Sequence, residues 1–311
     1  MQALSVVAPG TVTGFAMALA LVWGSCVGVD AVAVSRPADP PSAIPVVAST
    51  NVYGDIAEQI GADKVDVVSI ISDPAQDPHS YEASTRTQLE LAKAEVVVEN
   101  GGGYDDFVHR MLRSADNSSA EVVNAVEVSG KKPDTSGEFN EHVWYDVPAM
   151  GKLADRIAVA LTKVAPADGG VFREKAKSFK EKLAVLEERT ERINARHVGT
   201  AVAVTEPVPL YLIEASGLVN KTPADFSEAI EEGDEVSPQS LRETLALFTG
   251  KKVGALVYNE QTVSPQTEKV KQAAEDNGIP VVPVTETLPE GEDYISWMSA
   301  NVDALKNALD Q

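Results

Sequence analysis

Between Val171 and His197 the chain carries neither proline nor glycine. Phe172, Ala176, Phe179, Leu183, Leu186 and Ile193 recur along this stretch, with Lys, Arg and Glu between them. That spacing predicts a single amphipathic helix, about 40 Å long and so able to run from one domain to another. On both sides of it, strand and helix patterns alternate. Before it, strands are expected at Val46–Thr50, Val65–Ile71, Glu95–Glu99 and Glu121–Ala125. Helices are expected there at Asn51–Gly61, Thr87–Ala94, Tyr104–Leu112 and Val147–Val164. After it, strands are expected at Ala201–Thr205, Val253–Asn259 and Ile279–Val284. Helices follow at Leu210–Ser216, Ser237–Phe248, Pro265–Asn277 and Asp293–Leu309. Such alternation implies mostly parallel sheets covered on both faces. The expected fold is α/β: two lobes, each a mostly parallel sheet flanked by helices, joined by one long linking helix. We place the N-terminal lobe at 46–166, the linking helix at 167–198 and the C-terminal lobe at 199–311. No sequence repeat relates the lobes.

The segment before the first strand has another character. Phe15–Trp23 is an unbroken apolar run, followed by Gly24, Ser25 and the lone cysteine, Cys26. Nine residues are too few to span a bilayer but suit the apolar core of an export signal. The usual positive flank is missing, since no Lys or Arg precedes Arg36, and Trp23 stands where a lipoprotein signal normally has an aliphatic residue. Residues 1–26 are read as a signal, with Cys26 as the lipidated mature N-terminus. Residues 27–45, with Pro37, Pro40, Pro41 and Pro45, are read as a flexible tether. The expected location is the outer face of the cytoplasmic membrane or the cell envelope.

Charge and cysteine content exclude several functions. Lys plus Arg number 26 and Asp plus Glu 47, so the formal charge is −21. Nucleic-acid binding, which needs basic residues to displace counterions, is not expected. One cysteine allows neither an internal disulfide framework nor a Cys-based zinc site. Neither HExxH nor GxSxG occurs.

In open α/β sheets, ligands bind beyond the carboxyl ends of strands. That rule selects His79 after Val65–Ile71, Glu206 after Ala201–Thr205 and Glu286 after Ile279–Val284, with His142 just before a helix. Four such groups on facing loops could close on one divalent cation. Each alone has an ordinary alternative: a solvated loop histidine, or an acid favoured by a helix dipole. Asp77 and Asp146 could orient the histidines, or serve as loop and cap residues. Glu260 is a spare carboxylate near the same edge. His109 is expected on the solvent side of its helix, and His197 at the C-terminal dipole of the long helix. Asn100–Gly103 looks like a phosphate cradle but lacks the Walker lysine, and Asp105 and Asp106 would repel phosphate; it is read as a tight turn.

The motifs DPHSYE at 77–82, NGGGYDDF at 100–107 and HVWYD at 142–146, with the tail GEDYISWMSANVDAL, add weight. Over Val46–Leu309 the chain resembles the bacterial zinc- and manganese-binding solute-binding lipoproteins of ABC transporters, the adhesin-type family. The resemblance implies that His79 and His142 supply imidazole nitrogen from the first lobe. It implies that Glu206 and Glu286 supply carboxylate oxygen from the second. The implied function is capture of Mn²⁺ or Zn²⁺ outside the cell and delivery to an ABC permease with its ATPase, by a monomer that catalyses nothing. The chain departs from the family in having Ala83-Ser84-Thr85 where Pro-Thr-Pro is usual. It also lacks a histidine-rich loop between Glu127 and Glu141, and its third ligand is Glu rather than His. A metal-dependent hydrolase and a surface adhesin are the alternatives.

Overall fold

β1 (Ile44–Thr50), β2 (Val65–Ile71), β3 (Val96–Glu99) and β4 (Glu121–Asn124) form a four-stranded sheet in the order β2-β1-β3-β4. Every pairing is parallel. The computed structural model describes residues 43–73, 81, 84–132 and 139–311. The signal-like segment with Cys26, nearly all of the tether, Asp77 and His79 lie outside the described residues. The central strands read as near-continuous β-branched runs because helices cover both faces. All four residues of β3 are buried, whereas the first residues of β2, at the sheet edge, alternate between half-buried and exposed positions before the strand ends on the buried Ile71. β1 starts two residues earlier than the sequence pattern suggests, at Ile44 opposite Val65. Pro45 is tolerated there because it precedes the pairing of β1 with β3, which begins at Val46 opposite Val96. Its missing N–H leaves no gap in that ladder, and its carbonyl still accepts from Glu95 N–H.

α1 (Asn51–Gly61), α2 (Thr85–Lys93), α3 (Phe107–Ser114), α4 (Ala125–Ser129) and α5 (Val147–Val164) belong to this lobe. α3 begins three residues later than expected. Gly101, Gly102 and Gly103 all take positive φ, a conformation open to glycine without steric cost. The Asp105 carboxylate accepts from Asn100 N–H at 2.6 Å and Gly101 N–H at 2.7 Å. The apparent phosphate cradle is thus a tight turn closed by the chain's own anion.

The second sheet comprises β5 (Ala201–Val204), β6 (Val219–Asn220), β7 (Leu256–Asn259) and β8 (Val281–Val284), in the order β6-β5-β7-β8. It is also entirely parallel and repeats the strand order of the first. α7 (Leu210–Ala215), α8 (Ala224–Glu231), α9 (Pro238–Thr249), α10 (Pro265–Asp276) and α11 (Tyr294–Leu309) surround it. α10 and α11 open on capping boxes, Ser264 with Thr267 and Asp293 with Ser296. In both sheets the strand order reverses between the first and third strands, the place where open α/β folds present their binding crevice. In the second sheet, Glu206 and Asn259 stand at that point.

α6 (Gly169–His197) has 29 residues, about 44 Å of helix. Phe172, Ala176, Phe179, Leu183, Leu186, Thr190 and Ile193 are buried along it. Their spacing alternates four and three residues, which keeps one stripe facing inward. The helix lies against α1 and α5 on one side and α7 and α11 on the other. One hydrophobic core runs through both lobes, from Val46 and Val98 to Val204, Trp297 and Leu305, so Ser42–Gln311 forms a single compact unit. Polar contacts reinforce the junction. Asn51 exchanges two 3.0 Å hydrogen bonds with the Leu288 backbone. The Tyr145 and Tyr294 hydroxyls donate at 2.7 Å to the carbonyls of Thr285 and Trp144.

Candidate metal centre

The ends of β5, β7 and β8 bring three polar side chains together. Glu206 follows β5 by two residues, Asn259 closes β7, and Glu286 follows β8 by two residues. The Asn259 amide nitrogen donates to Glu206 Oε2 at 2.5 Å and to Glu286 Oε1 at 2.9 Å. One side chain therefore holds the two carboxylates side by side. Glu206 is 2% and Glu286 1% exposed. The loop carrying Glu286 is fixed by Gln261, whose Oε1 accepts from the N–H groups of Glu286 and Thr287.

His142 reaches the same place from the first lobe. It is fully buried and precedes a 3₁₀ turn, Val143–Tyr145, that leads into α5. Its ring packs on Trp144, with centroids 5.0 Å apart, and on Tyr104 at 6.1 Å. Asn140 sets its orientation. The Asn140 Oδ1 accepts from the His142 backbone N–H at 3.1 Å and lies 2.7 Å from Nδ1. The Asn140 amide nitrogen donates to the Pro207 carbonyl, so the oxygen must face the imidazole. Nδ1 therefore carries the proton, and Nε2 is directed at the carboxylates. Nε2 lies 3.8 Å from Glu286 Oε2 and 3.5 Å from Glu231 Oε1. Tyr104 donates to Glu286 Oε2 at 3.2 Å. Burial, followed by the charge of Glu286, holds the Tyr104 hydroxyl well above its ordinary pKa, so it stays a donor. Among the described residues, no three His, Cys, Asp or Glu side chains are already closed on a point that would hold a metal ion.

Three of the four expected residues thus converge, while His79 lies outside the described residues. Asp146 does not orient His142: it pairs with Lys131 at 2.7 Å. Glu260 is exposed, and the side chain at that strand end which reaches the site is Asn259. His109 is half-exposed and lies 2.8 Å from the buried Glu99, whose pKa burial pushes up. His197 pairs with Asp310 at the end of α6. Asn140, Asn259 and Glu231 were not singled out in the sequence. The only local signals were NEQT at a strand end, EHVW after Asn140 and the acidic close of α8.

A family model described as zinc-uptake complex component A, periplasmic, matches residues 46–308. The chain belongs to this family. It is a solute-binding component of a metal ABC transporter for Mn²⁺ or Zn²⁺, and not an enzyme, which removes the hydrolase alternative. The manganese-binding lipoprotein MntA of Bacillus subtilis is 27% identical over 241 residues, 75% of this chain and 76% of that protein. The Mn²⁺ complex of FpvC from Pseudomonas aeruginosa superposes with a TM-score of 0.72 at 22% identity, over 86% of this chain and 99% of that one. A mutant of the laminin-binding adhesin Lmb from Streptococcus agalactiae gives 0.72 at 20% identity, over the same shares. These structural likenesses establish the fold.

Asn259 gives the site its own stability test. Replacing it by Ala removes one donor from two buried carboxylates at once, which costs about 1–3 kcal/mol. In metal-free protein, Asn259→Ala is expected to lower the unfolding free energy by that amount and the denaturation midpoint with it. An unchanged midpoint would contradict the bridging role.

Proposed function

We propose that His142, Glu206 and Glu286, together with His79, are the donors that capture the transported ion. The observation that carries this reading is the meeting of a buried imidazole from one lobe with two buried carboxylates from the other. Buried charges of one sign are stable only when paired. Two carboxylates balance a divalent cation, and a neutral imidazole with Nε2 turned inward is the usual nitrogen ligand. Carboxylate oxygen suits Mn²⁺ better than an all-imidazole site would, although the Irving–Williams order still places Zn²⁺ above Mn²⁺ in raw affinity. The cargo is therefore Mn²⁺ or Zn²⁺, with Mn²⁺ favoured by the donor set. The manganese-binding name of the Bacillus subtilis relative agrees with this.

The lobes at 46–166 and 199–311, with the linking segment 167–198, act as a frame around the ion. Because one core passes through both lobes, wide hinge closure would break well-packed contacts. Capture proceeds by loop and side-chain rearrangement at the rim. The loaded protein, a monomer, then docks on an ABC permease served by its ATPase. Residues 1–26 direct export, and Cys26 carries the lipid that holds the protein, through the 27–45 tether, at the outer face of the cytoplasmic membrane.

Metal-free protein is expected to gain roughly 4 kcal/mol when Mn²⁺ or Zn²⁺ is present at about a thousandfold excess over Kd, on the order of 10 °C in melting temperature. His142→Ala, Glu206→Ala or His79→Ala should remove most of that shift, and His109→Ala should not. A melting curve that ignores both ions in the unaltered protein would sink the site. Membrane anchoring has a separate check. Cys26→Ser should release the protein from membranes or leave its precursor uncleaved, and a native mass that starts at Met1 and carries no lipid would refute it.

A further inference from the structure

Glu231 is the last residue of α8, and its position is tightly determined. Phe226 and Ile230 bury their side chains in the outer core of the second lobe, alongside Val236, Leu247 and Phe248. At its start the helix is moored to β5 through Thr222, whose hydroxyl accepts from Val204 N–H at 2.8 Å and donates to the Val204 carbonyl at 3.1 Å. At its end, Asp234 N–H donates to the Ala229 carbonyl and Gly233 N–H to that of Ile230. Gly233 sits at φ +69. This is a Schellman closure, which needs a residue at ease in the left-handed region. The closure turns the chain immediately after Glu231 and fixes where its carboxylate emerges.

That carboxylate meets His142 across the lobes. Glu231 Oε1 and Glu286 Oε2 stand 3.5 and 3.8 Å from the same nitrogen, His142 Nε2. A charge-assisted N–H···O bond would bring donor and acceptor to about 2.7–2.9 Å. Two donors bound at about 2.1 Å to one ion, with about 110–130° between the bonds, lie about 3.4–3.8 Å apart. Both separations fall in the second range. Glu231 is also the most open of these groups, its side chain 13% exposed where those of His142 and Glu286 are at most 1%.

Building on the metal-capture reading above, we propose that Glu231 is a fifth donor to the transported ion, placed at the mouth of the site, and that it favours Mn²⁺ over Zn²⁺. A further oxygen raises the available coordination number beyond the four that Zn²⁺ commonly takes. It also shifts the donor set toward the carboxylate chemistry that suits Mn²⁺. Its exposure lets it exchange with the water shell of an arriving ion before the buried groups engage.

The test is a competition titration of metal-free full-length protein with Mn²⁺ and with Zn²⁺. Glu231→Gln keeps the shape and removes the charged oxygen. Glu232→Gln removes the same charge from the exposed neighbouring residue. His142→Ala reports on the parent site. Unaltered metal-free melting of Glu231→Gln shows that the fold is intact. Loss of a direct ligand should weaken Mn²⁺ binding by at least the roughly ten- to hundredfold that loss of an outer-shell partner costs. Zn²⁺ should weaken less, so the Zn²⁺/Mn²⁺ affinity ratio rises, while Glu232→Gln stays within about twofold of the unaltered protein. A loss equal for both ions, with the Zn²⁺/Mn²⁺ ratio unchanged, would place Glu231 outside the donor set and overturn the proposal. If Glu231→Gln binds both ions like Glu232→Gln while His142→Ala abolishes binding, the fifth-donor proposal is overturned and the parent site stands. If His142→Ala binds both ions normally, the parent site itself is wrong.

Discussion

Two carboxylates, Glu206 and Glu286, are held side by side out of water by the amide of Asn259. Burying one carboxylate costs several kcal/mol, and a second of like charge beside it adds repulsion. A fold keeps such an arrangement only if its frame resists the separation that would relieve it. The rest of the structure supplies that frame. The strand ends of the second sheet fix the two glutamates, Gln261 fixes the loop under Glu286, and Tyr104 reaches over from the first lobe to donate to the same residue. In the metal-capture reading, a divalent cation placed between them would balance the two carboxylates.

Rigidity comes from sharing one core. α6 presents its apolar stripe to helices of both lobes, and the cluster from Val46 to Leu305 has no break between them. At roughly 25 cal/mol per Å² of apolar surface, separating such lobes would be far costlier than moving a few side chains. Asn140 shows the same economy on a small scale. It orients the His142 ring with one atom and binds the residue after Glu206 with another, so imidazole and carboxylate are positioned against each other through one side chain.

Much of this was legible in the sequence. Each expected strand or helix has a counterpart, because long amphipathic or β-branched runs bounded by Gly, Pro or Ser leave little choice of period. Boundaries moved where local chemistry intervened, as when the glycine turn delayed α3. The two-residue β6 and the five-residue α4 were missed because they are too short for a periodic pattern to stand out, and α8 because only Phe226 and Ile230 mark its apolar buried face. α8 matters most, since it carries Glu231. His142, Glu206 and Glu286 were selected from their positions at strand and loop ends and weighted by the family resemblance, and the structure brings their side chains together. Asn140 and Asn259 were not, because a neutral amide acquires its role only from what it touches in three dimensions. For the same reason Asp146 looked like a partner for His142, when Lys131 was the nearer charge.

The central claim is that a divalent ion sits between the lobes with His142 on one side and the paired glutamates on the other. Anomalous diffraction at the manganese absorption edge, from crystals grown with Mn²⁺, addresses it directly. The account predicts one strong peak about 2.0–2.3 Å from His142 Nε2 and from oxygens of Glu206 and Glu286. A strong peak on surface acids, with no scattering between His142 and Glu286, would contradict it.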